Sequence, residues 1–172
     1  MERKMEIRTM LGDITKVECD AIVNAANTSL LGGGGVDGAI HRAAGPGLLR
    51  ECRTLNGCPT GQAKITGAYD LPARFVIHTP GPIWRGGQNG EERLLADSYR
   101  NCLELADSHG CVCVAFPSIS TGVYHFPLEK ASRIAVETIR EFAGRASSVR
   151  EVILVAFDAR TKEYDDRALE NV

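Results

Sequence analysis

Residues 24–38 read Asn24-Ala25-Ala26-Asn27-Thr28-Ser29-Leu30-Leu31-Gly32-Gly33-Gly34-Gly35-Val36-Asp37-Gly38, and the interpretation of the whole chain starts from this stretch. It follows the apolar residues 21–23, which predict the end of a buried strand, and precedes residues 39–44, which predict a short helix. Glycine allows positive φ and a close approach of backbone to ligand, and N–H groups at a helix start attract anions. The stretch therefore predicts an anion site between a strand and a helix.

Three polar side chains of this stretch suit a sugar and a bound water. Asn24 and Asn27 can each donate and accept hydrogen bonds, and Asp37 could take a proton from water. The residues alone leave other interpretations open: Asp37 could cap the helix, the asparagines could close turns, and the glycines could form a loop without a ligand. The stretch matches neither a Walker A loop nor a dinucleotide-binding Gly-x-Gly-x-x-Gly turn.

The composition predicts one globular domain spanning residues 1–172, with 44% hydrophobic and 24% charged residues. The net charge of −2 argues against nucleic acid as a partner. We find no apolar run of membrane-spanning length and no signal-type N-terminus, so we expect a cytoplasmic protein without membrane contact. The 6 cysteines include no Cys-x-x-Cys pair. Cys111 and Cys113 share one face of a predicted strand and are interpreted as small buried hydrophobes.

Predicted strands alternate with predicted helices along the chain. The strands are predicted at residues 5–11, 20–23, 62–68, 74–79, 112–116 and 151–157, and the helices at 36–44, 47–54, 91–108, 128–143 and 161–169. This alternation predicts an α/β fold with helices on both faces of a sheet, where ligands bind beyond the carboxyl ends of strands. Loops 12–15, 24–38 and 118–126 and residue 158 all follow strands, so we expect them to meet at one rim.

A second loop, Ser118-Ile119-Ser120-Thr121-Gly122-Val123-Tyr124, offers hydroxyls and backbone N–H groups to a diphosphate and an aromatic face to a sugar. By itself it could be an ordinary Ser/Thr-rich loop. Preceded in order by Gly12-Asp13-Ile14-Thr15 and by the stretch at 24–38, however, it resembles the macro domain family, most closely its MacroD-type branch. Residues 58–63 and 76–82 and Trp84 also resemble that branch.

The resemblance implies a three-layer α/β/α sandwich around a mixed, mostly parallel sheet, with ADP-ribose in a cleft at the strand ends. It implies that Asp13 accepts a hydrogen bond from the adenine amine beside the Ile14 backbone, and that Phe157 stacks on adenine. Asn27 would orient the distal ribose, and Tyr124 would pack against it. The remaining ligand contacts implied are Asn24, Gly33, Gly34, Gly35, Val36, Ser120, Thr121, Gly122 and Val123. From the residues alone, a core position for Phe157 and a turn role for Asp13 are the simpler interpretations.

MacroD-type members remove ADP-ribose esterified to protein carboxylates and deacetylate O-acetyl-ADP-ribose, and the matching catalytic residues here are Asn27 and Asp37. A water between Asp37 and the diphosphate would attack the distal ribose ester, with Asp37 or a phosphate oxygen as the base. Attack at the anomeric carbon and at the acyl carbonyl both stay open. We expect an exposed Asp37 to be a weak base, so positioning would matter more than proton removal, and we give His41 a structural role.

The resemblance requires no cofactor, and no set of residues has the spacing of a zinc site, so we predict no metal. The expected partners are ADP-ribose, O-acetyl-ADP-ribose and mono-ADP-ribosylated proteins. A non-catalytic reader of ADP-ribose is the main alternative, and an RNA-binding regulator is a weaker one. The presence of Asp37 favours the enzyme, because many readers in the family lack this aspartate.

Overall fold

The computed structural model describes residues 5–171, which are built around one six-stranded sheet. Its strands are β1 (Glu6–Leu11), β2 (Cys19–Ala26), β3 (Lys64–Gly67), β4 (Ala73–Pro80), β5 (Cys113–Phe116) and β6 (Glu151–Ala156), in the spatial order β1-β6-β5-β2-β4-β3. Neighbouring strands pair in parallel except β3, which joins the edge antiparallel to β4. The sheet is therefore mixed and mostly parallel, as predicted.

Five α-helices cover the two faces of this sheet. They are α1 (Gly35–Ala44), α2 (Pro46–Arg53), α3 (Glu91–Ser108), α4 (Leu128–Ala143) and α5 (Ala159–Glu170). Along β2, Ala21 and Val23 pack in an apolar cluster with α3 and α4, whereas Ile22 and Ala26 pack in a second cluster with α1 and α2. Because alternate strand residues point to opposite faces, this division confirms the predicted three-layer sandwich. Within residues 5–171, no helix combines the length and apolarity needed to cross a membrane.

The predicted helices at 91–108 and 128–143 are confirmed to the residue, but the predicted end of β2 at residue 23 is wrong. The strand continues through Ala26, and in its register Asn24 lies opposite His78 of β4. A buried asparagine does not stop a strand when its side chain has hydrogen-bond partners, and Asn24 has them in Asp37 and His78.

The rim of the sheet gathers the predicted loops. Strands β1, β6, β5 and β2 are parallel neighbours, so the segments that follow their carboxyl ends lie along one edge. At that edge Gly12 N donates to Ala156 O at 2.9 Å, which ties the end of β1 to the end of β6. The expectation that the four loops share one rim is confirmed.

The prediction that Cys111 and Cys113 are small buried hydrophobes is confirmed only for Cys111. All six are free thiols, and four of them, Cys52, Cys58, Cys102 and Cys111, are buried. Cys19 and Cys113 are half-buried, and their Sγ atoms lie 2.6 Å apart near the amino ends of β2 and β5. The prediction is therefore wrong for Cys113, which lies with Cys19 at the end of the sheet opposite the rim.

Candidate functional site

The glycine loop and the first turn of α1 place Asp37 inside the protein. Gly35 opens α1 at a φ of 57°, and the helix has no side-chain cap at Gly34, so the interpretation of Asp37 as a helix cap is wrong. A Cβ atom on Gly33 would lie 3.2 Å from Asp37 Oδ2 and 3.4 Å from Asn27 Nδ2. These two side chains therefore lie against Gly33, where any larger residue would crowd them.

The carboxylate of Asp37 is only 5% exposed, which corrects the expectation of a solvent-exposed weak base. Asn24 Nδ2 donates to its Oδ1 at 2.8 Å, and His41 Nε2 lies 3.4 Å from the same oxygen without forming a hydrogen bond. Burial raises the pKa of Asp37, while the hydrogen bond from Asn24 and the charge of His41 act in the opposite direction. A carboxylate with a raised pKa is a better proton acceptor than an exposed one.

Asn24 lies behind Asp37 rather than in the loop. It has no exposed surface, so the implied direct contact between Asn24 and a ligand does not fit the structure, and neither does a turn-closing role. Its Nδ2 also lies 3.1 Å from Nδ1 of His78, which is likewise fully buried. The sequence assigns no role to His78, although it lies within residues 76–82, which resemble the MacroD-type branch. His41 lies beside Asp37, so it belongs to this site as well as to the packing of the protein.

Asn27 closes the turn that precedes the glycines. Its Oδ1 accepts from Ser29 N at 3.1 Å, Ser29 Oγ at 2.6 Å and Leu30 N at 3.2 Å, and its Nδ2 donates to Gly32 O at 2.9 Å. The turn-closing interpretation is thus confirmed for Asn27. Because Nδ2 carries a second hydrogen, the predicted contact of Asn27 with a ribose hydroxyl stays a prediction.

The second loop, residues 117–127, presents backbone at the rim. Ser120 adopts a φ of 68°, and its buried Oγ has no hydrogen-bond partner among residues 5–171. Gly122 and Val123 are exposed, and a Cβ atom on Gly122 would meet nothing within 4 Å. Thr121 Oγ1 hydrogen-bonds Ser118, so its hydroxyl also shapes the loop. The open backbone at Gly122 is what close approach of a diphosphate requires.

A neighbouring loop supports this one. Trp84 N donates to Tyr124 O at 2.9 Å, and the Trp84 ring packs on Phe126 with centroids 4.8 Å apart. The segment that carries Trp84 is held by Glu91, which accepts three hydrogen bonds from the backbone N–H groups of Arg85, Gly87 and Asn89. The sequence predicts Glu91 only as the first residue of a helix, so this supporting role was missed.

Glu91 is ionised in this position despite being 2% exposed. Burial opposes its ionisation, but the backbone hydrogen bonds outweigh that effect and lower the pKa of Glu91 to about 2. The anchor of the Trp84 segment therefore stays charged at any pH where the protein is expected to work.

The far end of the rim carries Asp13 and Phe157. Asp13 Oδ1 accepts from Thr15 Oγ1 at 2.7 Å and from Thr15 N at 2.9 Å, which confirms the turn role and lowers the pKa of Asp13. Ile14 is buried beside it in the second apolar cluster. Phe157 is 91% exposed, so its interpretation as a core residue is wrong. An exposed aromatic ring and a turn carboxylate thus adjoin where β1 and β6 end.

Two other kinds of feature within residues 5–171 differ in chemistry from the rim. In the part of the chain that the structure describes, no group of three or more His, Cys, Asp or Glu side chains is placed to hold a metal ion. Shallow depressions of about 630 Å³, beside Tyr69 and Arg50, and about 600 Å³, beside Gln62 and Asn101, lie away from the rim. Neither is lined by the buried polar groups that surround Asp37.

Comparison with known proteins assigns the family. A family model described as the macro domain matches residues 23–135, which is more than half of the chain and includes both rim loops. The chain belongs to the macro domain family. A macro domain-containing protein of Lactiplantibacillus plantarum is 60% identical to this macro domain over 166 residues, covering 96% of each chain.

Two further relatives have an activity or a ligand in their names. A protein of Citrobacter rodentium named O-acetyl-ADP-ribose deacetylase is 54% identical to this macro domain over 167 residues, covering 95% of this chain and 94% of the other. A solved structure of an Oceanobacillus iheyensis macrodomain mutant with ADPR is 46% identical, with a TM-score of 0.89 over 95% of this chain and 90% of that one. The six-stranded mixed sheet with helices on both sides is the fold of these macrodomain structures.

Proposed function

We propose that this macro domain binds ADP-ribose at the rim and hydrolyses ADP-ribose esters. Two substrates are proposed: O-acetyl-ADP-ribose, which would be deacetylated, and proteins that carry mono-ADP-ribose on Asp or Glu. The observation that carries the proposal is the buried Asp37 carboxylate, whose Oδ2 faces the backbone of the glycine loop at Gly33. The relative named O-acetyl-ADP-ribose deacetylase supports the first substrate.

Binding rests on the two backbone-rich loops. The glycine loop leads into the start of α1, where free N–H groups favour an anion, and the loop around Gly122 offers open backbone on the other side. A diphosphate between these loops would extend its adenosine toward Phe157 and its distal ribose toward Asn27 and Tyr124. The neighbouring structure with ADPR supports this ligand.

The chemistry rests on Asp37 and a water. A water between Asp37 Oδ2 and the diphosphate would attack the ester of the distal ribose while its proton passes to Asp37. For O-acetyl-ADP-ribose, attack at the acyl carbonyl breaks the acyl C–O bond, releases acetate, and returns the proton to the ribose oxygen of ADP-ribose. Burial favours this role, because a raised pKa makes the carboxylate a stronger base.

The test measures release of product. Purified protein is incubated with O-acetyl-ADP-ribose and, separately, with a protein labelled with mono-ADP-ribose on a glutamate, and acetate and free label are followed over time. We expect turnover of both, unchanged by EDTA, because no metal is needed. Binding of ADP-ribose by calorimetry without release of either product would establish a reader and overturn the hydrolase.

A further inference from the structure

A file of buried polar side chains extends from Asp37 into the protein and reaches no ligand surface. It comprises Asn24 on β2, His78 on β4 and Thr66 on β3, which are 0%, 0% and 2% exposed. The consecutive distances are 2.8 Å from Asp37 Oδ1 to Asn24 Nδ2, 3.1 Å on to His78 Nδ1, and 3.0 Å from His78 Nε2 to Thr66 Oγ1. Buried polar groups are costly unless they are paired, so a file this long calls for a physical reason.

The donors and acceptors of the file can be assigned one by one. Asn24 Nδ2 carries two hydrogens and accepts none, so it donates one to Asp37 and the other to His78 Nδ1. His78 Nδ1 is then unprotonated, and the ring proton lies on Nε2, which donates to Thr66 Oγ1. Thr66 in turn donates to Gly67 O at 3.0 Å. Asn24 is therefore a donor on both sides: one hydrogen bond runs from it to Asp37, and the others run from it through His78 and Thr66 to Gly67 O.

This direction decides which atom of Asn24 meets Asp37. Rotating the amide by half a turn would place Asn24 Oδ1 against Asp37 Oδ1, where two acceptors repel, and would leave His78 Nδ1 facing an acceptor. In the observed orientation the atom left without a partner among residues 5–171 is Asn24 Oδ1. The carbonyl oxygen of Asn24 is thus left unpaired, while its N–H group stays hydrogen-bonded to the carboxylate of Asp37.

We propose that Asn24, His78 and Thr66 are positioning residues that hold Asp37 with Oδ1 engaged and Oδ2 directed at the glycine loop. The inference rests on the proposed hydrolysis and deepens it, since none of the three side chains reaches the rim. His78 selects the amide orientation of Asn24, and Thr66 selects the tautomer of His78. In metal sites, side chains that hold a ligating residue from behind typically change affinity or activity by about 10- to 100-fold, and we expect an effect of similar size here.

The charged and titratable groups that face Asp37 are consistent with this role. His41 approaches from α1, His78 from β4, and Cys52 from α2 with its Sγ 3.8 Å from His78 Nε2. Burial and the neighbouring His41 lower the pKa of His78 to about 3, so His78 is neutral across the working range and keeps its single ring proton. Burial, with Asp37 nearby, raises the pKa of Cys52 to about 11, so Cys52 adds no charge.

Three variants test the file of buried polar side chains, from Asn24 beside Asp37 to Thr66 at its far end. Asn24→Leu removes the donor to Asp37, and we expect kcat for O-acetyl-ADP-ribose to fall by roughly 10- to 100-fold with little change in KM. The acid limb of the pH profile of kcat should move to higher pH in this variant, because the hydrogen bond from Asn24 favours the ionised form of Asp37. Thr66→Val should lower kcat by a few fold, and Thr66→Ser, which keeps the hydroxyl, should restore it. Thr138→Val, at another buried threonine on α4, is the matched control for stability.

Two NMR measurements on the unliganded protein decide the inference without any assay of turnover. The ring nitrogens of His78 should show the neutral Nε2–H tautomer at pH 7, and the carboxyl carbon of Asp37 should titrate at higher pH in folded Asn24→Leu than in wild type. A proton on Nδ1, or an Asp37 titration unchanged in Asn24→Leu, would overturn the inference. If the wild type hydrolyses neither ester, the proposed function fails. The two NMR measurements still report whether Asn24, His78 and Thr66 hold Asp37.

Discussion

The two ends of the rim hold a carboxylate in opposite ways. Asp37 is 5% exposed and is held by Asn24 from a different element, whereas Asp13 is exposed and is held by Thr15, two residues along the chain. Burial raises the pKa of Asp37, while the hydrogen bonds from Thr15 lower the pKa of Asp13. The first arrangement suits a group that takes up a proton, and the second suits a group that stays an anionic acceptor.

The same contrast extends to the neighbouring side chains. Asp37 has His41, Asn24 and His78 around it, all largely removed from solvent, so its position is set before a ligand arrives. Phe157, beside Asp13, is 91% exposed and has its ring free to meet a ligand. We infer that chemistry is preorganised at the Asp37 end and that recognition is completed by the ligand at the Asp13 end.

The largest effect is expected from Asp37→Ala. Loss of a positioned base typically costs about 10²- to 10⁴-fold in rate, so hydrolysis of O-acetyl-ADP-ribose should fall at least a hundredfold. Affinity for ADP-ribose should stay within about tenfold, a change of roughly 1.4 kcal/mol, because Asp37 lies behind the loop backbone. Turnover is measured by acetate release and affinity by calorimetry. Undiminished turnover would remove the catalytic distinction between the two ends.

Gly122→Glu tests the loop that joins the two ends. An added side chain would point into open space, so the protein should fold, but its carboxylate would occupy the proposed phosphate path and repel it. We expect ADP-ribose affinity to fall by about a hundredfold, roughly 2.7 kcal/mol. Gly144→Glu makes the same change in charge and size at an exposed helix end far from the rim, and should bind normally. Wild-type affinity in Gly122→Glu would place the ligand elsewhere.

A smaller effect is expected at the Asp13 end, where base selectivity is measured by calorimetry with ADP-ribose and IDP-ribose. The base of IDP-ribose carries a carbonyl where adenine carries its amine, so Asp13 would face a second acceptor. IDP-ribose should therefore bind more weakly than ADP-ribose by about 1–3 kcal/mol, or roughly ten- to a hundredfold in affinity. Asp13→Asn keeps an oxygen for Thr15 and adds an N–H donor, so it should reverse the preference.

Phe157→Ala is the control for that selectivity, since stacking does not read the amine. It should weaken both ligands alike, by about 1–3 kcal/mol. Equal affinities of the wild type for the two bases would leave Asp13 as a turn residue only.

The smallest effect is expected in thermal stability, and it has opposite signs at the two ends. Folding raises the pKa of Asp37, so the free energy of unfolding falls as the pH rises and Asp37 ionises. Asp37→Asn removes this charge and should therefore raise Tm at pH 7. The pKa of Asp13 is lowered by folding, so Asp13 stabilises above the unfolded pKa, and Asp13→Asn should lower Tm at pH 7.

Both differences should shrink as the pH is lowered, because protonation of each carboxyl group removes the charge on which its effect depends. Scanning calorimetry across pH provides the measurement. Shifts of the same sign in the two variants would contradict the contrast between a destabilised and a stabilised carboxylate.

Much of the fold could be predicted because its signals are local. Helical periodicity placed α3 and α4 to the residue, and the alternation of elements predicted a sheet covered on both faces. The positions of the two rim loops also followed from sequence, since each comes directly after an apolar strand. Asn27 closing its own turn and Asp13 holding Thr15 are contacts within three residues, and propensity suffices to suggest them.

The remainder depended on contacts between distant parts of the chain. Asn24 and His78 are 54 residues apart and meet only because β2 pairs with β4, a pairing that neither strand encodes by itself. The burial of Asp37 depends on where α1 begins against the sheet, and the exposure of Phe157 depends on where β6 ends. The sequence by itself thus determined which residues could bind an anion, turn the chain or form a helix. Only the tertiary structure decided that Asp37 is buried and Asp13 is left exposed, because desolvation depends on everything packed around a group.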